Sequence, residues 1–104
     1  MARPVTITLS HDLGKEEARR RVEENFDKIK SAMSGGIKFR FTEEWSGDRL
    51  SFTAKGLGQN IKGDIDIFEA HVRIVAVLPS LLAGIAESIS GSVEKQGQIL
   101  LEKK

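Results

Sequence analysis

The sequence predicts an α+β domain: one antiparallel β-meander with two helices on one of its faces, in the order β-α-β-β-β-β-α. Three observations predict it. Residues 71–104 read as a β-branched strand, then a proline, then a long run of helical pattern. The stretch from Glu16 to Met33 carries apolar residues at helical spacing and is followed by paired glycines. Between these segments lie short runs of alternating apolar and polar residues, separated by turns rich in glycine.

Val5, Ile7 and Leu9 alternate with Thr6 and Thr8, which makes the first strand. Ser10 or Asp12 suits the cap of the next helix, and Glu16 and Glu17 place negative charge in its first turn, where the helix dipole favours it. Ala18, Val22, Phe26, Ile29 and Met33 form its apolar stripe, and Gly35-Gly36 is a stop signal. Ile37, Phe39 and Phe41 alternate in the second strand, Leu50, Phe52 and Ala54 in the third. Ile61, Ile65 and Ile67 mark the fourth, and Val72, Ile74, Ala76 and Leu78 the fifth. Pro79 ends that strand because it has no N–H for the ladder, and it suits the first turn of a helix for the same reason. Leu82, Ile85, Ile89, Val93, Gln96 and Leu100 then recur three and four residues apart. Gly84, Gly91 and Gly97 interrupt this helix, so packing rather than propensity must hold it. They either let it lie close on the sheet or leave it pliable enough to admit a ligand.

Two-residue turns at Ser46-Gly47, Leu57-Gly58 and Glu69-Ala70 give registers that match the apolar faces. They pair Phe41 with Phe52, Phe39 with Ala54, Phe52 with Gly63, and Ile65 with Leu50 and Ile74. On the outer face they align Glu44, Arg49, Asp66 and Arg73 in a row of alternating sign, with Thr42, Ser51 and Asp64 beside it. Such a row fixes register, and its alternative use is as a polar docking surface. The first strand is expected at an edge, beside the fifth.

At 104 residues with a net charge of +1, residues 1–104 make a single domain without the basic footprint of a nucleic-acid binder. There is no cysteine for a disulfide or a thiolate. The opening Met1-Ala-Arg-Pro lacks the apolar core of a signal peptide. The most apolar window, Ile74–Ala86, contains Pro79 and is shorter than the roughly 20 residues of a spanning helix. A cytoplasmic location is the expectation.

Chemistry is sparse. His11 and His71 sit in no zinc-binding spacing, and Asp64 with Asp66 makes at most half a metal site. No nucleophile motif, P-loop or dinucleotide fingerprint is present. The expectation is no catalytic residue, no metal and no cofactor. Glu43 and Trp45 stand out, because alternation puts them on the inner face with Phe39 and Phe41. A carboxylate there is costly unless it lies at a sheet end or bulge that reaches water. Otherwise it marks the mouth of a ligand pocket, with Trp45 as a wall and Phe41, Phe52, Ile85 and Ile89 as the lining.

The segments ARPVTITLSHDLGKEEARRRVEE, WSGDRLSF, GDIDIFEAHVRI, VLPSLL and VEKQGQILLEKK, spread over nearly the whole chain, carry a family resemblance. The chain resembles the small bacterial proteins of the polyhydroxyalkanoic acid system, or granule-region, family. That resemblance implies a link to the synthesis and storage of polyhydroxyalkanoate, a carbon-reserve polyester, and brings no catalytic residues with it. The arrangement of elements is similar to a shortened helix-grip fold, in which a curved sheet holds a long C-terminal helix. A ferredoxin-like sandwich is the alternative. Two functions are expected from this. One is a non-enzymatic accessory protein that meets the granule or granule proteins, with self-association open. The other is a binder of an acyl or hydroxyacyl chain between the sheet and the C-terminal helix.

Overall fold

A computed structural model describes residues 3–34, 38–56 and 58–102. The elements are β1 (Arg3–Ser10), α1 (Lys15–Ser34), β2 (Arg40–Ser46), β3 (Arg49–Gly56), β4 (Gln59–Ile67), β5 (His71–Leu78), α2 (Ser80–Ala83) and α3 (Ala86–Leu100). The five strands form one antiparallel sheet in the order β1-β5-β4-β3-β2. This is the expected meander, with β1 at an edge beside β5, in a helix-grip-like α+β arrangement. Gly35, Gly36, Ile37 and Leu57 lie outside the described residues.

The inner face of the sheet follows the alternation. Leu50, Phe52, Ala54, Ile61, Ile65, Ile67, Val72, Ile74, Ala76 and Leu78 are buried, together with Ala18, Val22, Phe26, Ile29 and Met33 from α1. The registers of β3 with β4 and β4 with β5 are those expected, pairing Phe52 with Gly63 and Ile65 with both Leu50 and Ile74.

The β2–β3 register differs from the expectation by two residues. Glu43 faces Phe52, Phe41 faces Ala54 and Trp45 faces Leu50. The turn residues are Gly47 and Asp48, not Ser46 and Gly47. A two-residue hairpin turn needs positive φ at its first central position, and Gly47 takes it at +60°. A slip of two keeps every side chain on its expected face, so alternation alone could not detect it. It does move Glu44 out of the charge row and opposite Ser51. The row that forms is Arg49, Asp66 and Arg73, with Arg49 Nε 2.7 Å from Asp66 Oδ1 and Arg73 Nη2 3.6 Å from Asp66 Oδ2. The Asp66 carboxylate raises the Arg49 pKa through that hydrogen bond. Ser51 Oγ donates to Asp64 Oδ1 at 2.8 Å, and Thr42 faces Thr53.

Helix α1 begins with the Gly14 carbonyl accepting from Ala18 N–H at 3.0 Å, so Gly14, with φ +81°, holds the cap position rather than Ser10 or Asp12. The helix kinks at Asn25 (φ −119°, ψ 15°), whose Nδ2 donates to the Arg21 carbonyl at 2.9 Å. Such back-bonding from a short amide competes with the helical ladder and bends it.

The C-terminal helical segment is split. One turn, α2, ends at Gly84, and Ile85 (φ −119°, ψ 22°) precedes α3. The break turns the apolar stripe by about one position. Ala86, Ile89, Val93, Gly97 and Leu100 are the buried residues of α3, while Ile85, expected on that stripe, is 45% exposed. Gly97 is the glycine that packs: a Cβ there would collide with Leu9 Cδ1, whereas one at Gly84 or Gly91 meets nothing.

Candidate functional site

The best-defined polar cluster lies on the inner side of the β2 edge. β2 has a strand on one side only, so its inward residues Phe41, Glu43 and Trp45 are covered by β3 and α1 and otherwise lie open. Arg19, Phe26 and Lys30 stand seven and four residues apart on α1, within about 40° of one helix face. That spacing was legible in the sequence, but only the fold shows what it meets.

Lys30 Nζ donates to Glu43 Oε1 at 3.0 Å and lies 3.7 Å from Asp27 Oδ1. The same ammonium sits 5.2 Å from the Phe26 ring centroid and 5.7 Å from that of Phe41, close enough for cation–π attraction. The Arg19 guanidinium covers Trp45 with Cζ 4.5 Å from the ring centroid, and its Nε is buried with no hydrogen-bond partner among the described residues. Beneath them the rings of Phe26, Phe41 and Phe52 meet edge-on or tilted, with centroids 5.6–6.3 Å apart. Glu43 is exposed and paired, which is how a carboxylate on an inward position of the sheet is accommodated.

Four of the residues expected around a pocket, Phe41, Glu43, Trp45 and Phe52, therefore come together at this edge. Ile85 and Ile89 do not join them, because the C-terminal segment packs along α1 and β1, at the edge of the sheet opposite β2. Phe52 and Ile89 are each 3% exposed and used in packing. Grooves among the described residues open on the surface. One of about 570 Å³ runs between α1 and α3, lined by Asp27, Lys28, Ser31, Ser92 and Lys95 among others.

Both histidines meet at one end of the sheet, which their positions in the chain did not reveal. Leu13 N–H donates to His11 Nδ1 at 3.2 Å, which leaves the ring proton on Nε2, 3.1 Å from the Phe68 carbonyl. His71 stacks on the Phe68 ring at 4.4 Å. His11 thus gives both ring nitrogens to backbone groups and clamps the β1–α1 connection to the β4–β5 turn. Among the described residues no group of three or more His, Cys, Asp or Glu could hold a metal ion. None of the described helices is long and apolar enough to cross a membrane.

These features define a two-layer α+β protein whose best-formed polar cluster braces an edge strand. The chain belongs to the family described as "Putative polyhydroxyalkanoic acid system protein", whose match spans residues 5–101. No curated protein matches it. Among solved structures, one titled "Crystal structure of Ara h 8.0201" is similar over 93% of this chain and 98% of that one, at 7% identity and a TM-score of 0.34. A likeness that low bears no functional argument.

Proposed function

We propose that the protein is a non-enzymatic accessory of polyhydroxyalkanoate synthesis or storage, acting through contacts of its surface with granule proteins or the granule itself. Family membership over residues 5–101 supports the link to the polyester system. The observation that carries the contact mechanism is the use of the interior: inward side chains from the sheet and helices fill one core, while Val77, Ile85 and Ile99 stand 40–46% exposed on the outside. Single exposed aliphatics are common on any protein. Here they are, with the half-buried Phe41 and Trp45 at the β2 edge, apolar groups among the described residues that can meet a partner. The location that fits is cytoplasmic, at the granule.

Fractionation of polyester-accumulating cells tests this. The tagged chain is expected to sediment with granules, to return to the soluble fraction when polymer synthesis is blocked, and to bring storage proteins down with it. A chain that stays soluble in accumulating cells and captures no storage protein would overturn the reading.

The second reading, a binder of acyl or hydroxyacyl chains beneath the C-terminal helix, is favoured by the break at Gly84 and Ile85, which leaves α3 hinged on a short turn. Its proposed contacts are Ile85 and Ile89 at the C-terminal helix and, separately, Phe41, Glu43, Trp45 and Phe52 at the β2 edge. A thermal shift on adding hydroxyacyl thioesters supports it, and unchanged melting at saturating ligand removes it.

A further inference from the structure

The geometry points to a second copy of this chain on the β2 edge, paired antiparallel about a two-fold axis through Thr42. The directions of the β2 backbone groups are set by its neighbours. Ile67 N–H donates to the Asp48 carbonyl at 2.9 Å, so the Asp48 backbone faces β4. Alternation then turns Arg49 toward β2, where it exchanges bonds with Ser46 opposite it. Ser46, Glu44, Thr42 and Arg40 therefore bond to β3, and Trp45, Glu43 and Phe41 direct their N–H and C=O groups out of the sheet. Among the described residues the sheet has two edges, β1 and β2. β1 carries Pro4, while β2 has no proline and presents its outward groups along Arg40–Ser46.

A two-fold pairing must match outward-bonding residues with one another, which leaves few choices of axis. An axis at Glu43 or Glu44 sets two identical carboxylates face to face. An axis at Phe41 pairs only Arg40–Thr42 of the two β2 strands, three residues from each, against the five of Arg40–Glu44 for an axis at Thr42. An axis at Thr42 pairs Arg40 with Glu44 of the second copy, twice, and Phe39 with Trp45, twice. The Arg40–Glu44 and Thr42–Thr42 pairs are then the non-hydrogen-bonded ones, where side chains come closest. Arg40 and Glu44 are both exposed, and neither forms an ion pair with another described residue. Glu43 does not oppose the pairing as a bare charge, because Lys30 already holds it at 3.0 Å.

Such an axis stands perpendicular to the sheet, so the helices of both copies lie on the same side of a ten-stranded sheet, five strands from each copy. Phe39, Phe41 and Trp45 are half-buried in one chain, and the second copy covers them. The cluster of Arg19, Trp45, Lys30 and Glu43 is closed only when both copies are present. The pairing does not depend on the granule reading.

Sedimentation of the full chain over a concentration series tests it. The expected species has twice the 11.5 kDa chain mass, and emission from Trp45, the chain's one tryptophan, shifts blue as it forms. Arg40→Glu sets a carboxylate against Glu44 of the other copy, and Glu44→Arg sets a guanidinium against Arg40. Each single variant should weaken pairing about tenfold or more. Mixing the two variants restores opposite-charge pairs and should restore the dimer, as should the double swap in one chain. Because both residues are exposed, melting curves should show each variant folded. A wild type that stays monomeric at high concentration overturns the inference. So does a dimer insensitive to either reversal, or one that neither the mixture nor the double swap rescues.

Discussion

Gly63 lies opposite Phe52 with no room between them for a methyl group. A Cβ at Gly63 would sit 2.5 Å from Phe52 Cζ and 2.5 Å from the Val75 carbonyl oxygen. The ring can swing, but the carbonyl belongs to the β5 ladder and cannot move without breaking it. Gly63→Ala should cost about 1–3 kcal/mol, the range for overpacking, and Phe52→Ala about 3–5 kcal/mol, the range for truncating a buried aromatic. Urea melts of the two variants measure both. Equal stability of Gly63→Ala and wild type would mean that β4 and β5 adjust there at no cost.

Asp66 lies between Arg49 and Arg73 on the outer face, with a side chain 14% exposed. Asp66→Lys makes three like charges in one row and should lose about 1 kcal/mol, with the loss shrinking as salt is added. The pair of melts to compare is low against high ionic strength. A difference from wild type that ignores salt would assign the loss to packing instead of charge.

The glycines of α3 should respond with opposite signs. Gly91 has open space where its Cβ would be, so Gly91→Ala should stabilise by about 0.4–1 kcal/mol through helix propensity and a less flexible unfolded chain. Gly97→Ala should give a net loss of about 1 kcal/mol, as overpacking of about 1–3 kcal/mol against Leu9 exceeds the gain of about 1 kcal/mol from alanine in a helix. Thermal melts read the sign directly. A destabilised Gly91→Ala would place a packed surface, most simply another subunit, over that face.

Glu17 should shape the acid limb of stability. Hydrogen bonds from Arg20 and then Arg21 hold its pKa down from the usual 4.5 to about 2. Arg21 also donates to the carbonyls of Leu100, at 3.2 Å, and Glu102, at 2.5 Å, so the cluster ties α1 to the end of α3. A carboxylate with a lowered folded-state pKa stabilises the fold above its unfolded value of 4.5, and the contribution disappears as pH falls toward 2. Glu17→Gln should therefore be less stable than wild type at neutral pH and flatter between pH 4.5 and 2. Parallel acid limbs for the two proteins would show that Glu17 contributes nothing there.

Much of the fold was legible residue by residue. Alternation placed Leu50, Phe52, Ile65 and Ile74 on the inner face, and the expected turns at Leu57-Gly58 and Glu69-Ala70 gave β3, β4 and β5 their observed register. The stripe of α1 from Ala18 to Met33 is buried as its spacing required. These are local properties, since the period of a strand or a helix is written in neighbouring residues.

The tertiary structure decided what neighbours cannot encode. A register slip of two preserves every face, so only the backbone demand at Gly47 moved Glu44 away from Arg49 and Glu43 opposite Phe52. The break at Gly84 and Ile85 turned Ile85 outward, because its non-helical backbone (φ −119°, ψ 22°) interrupts the helical repeat between the short helix after Pro79 and the longer one that follows. Glu43 meets Lys30 and Trp45 meets Arg19 across a helix and an edge strand, and His11 reaches Phe68 from 57 residues away, beside the His71 that stacks on the same ring. The sequence by itself determined which face the strand residues and the α1 stripe take. Which residues meet there depended on where the chain returned, a matter of turn geometry and close packing over long separations.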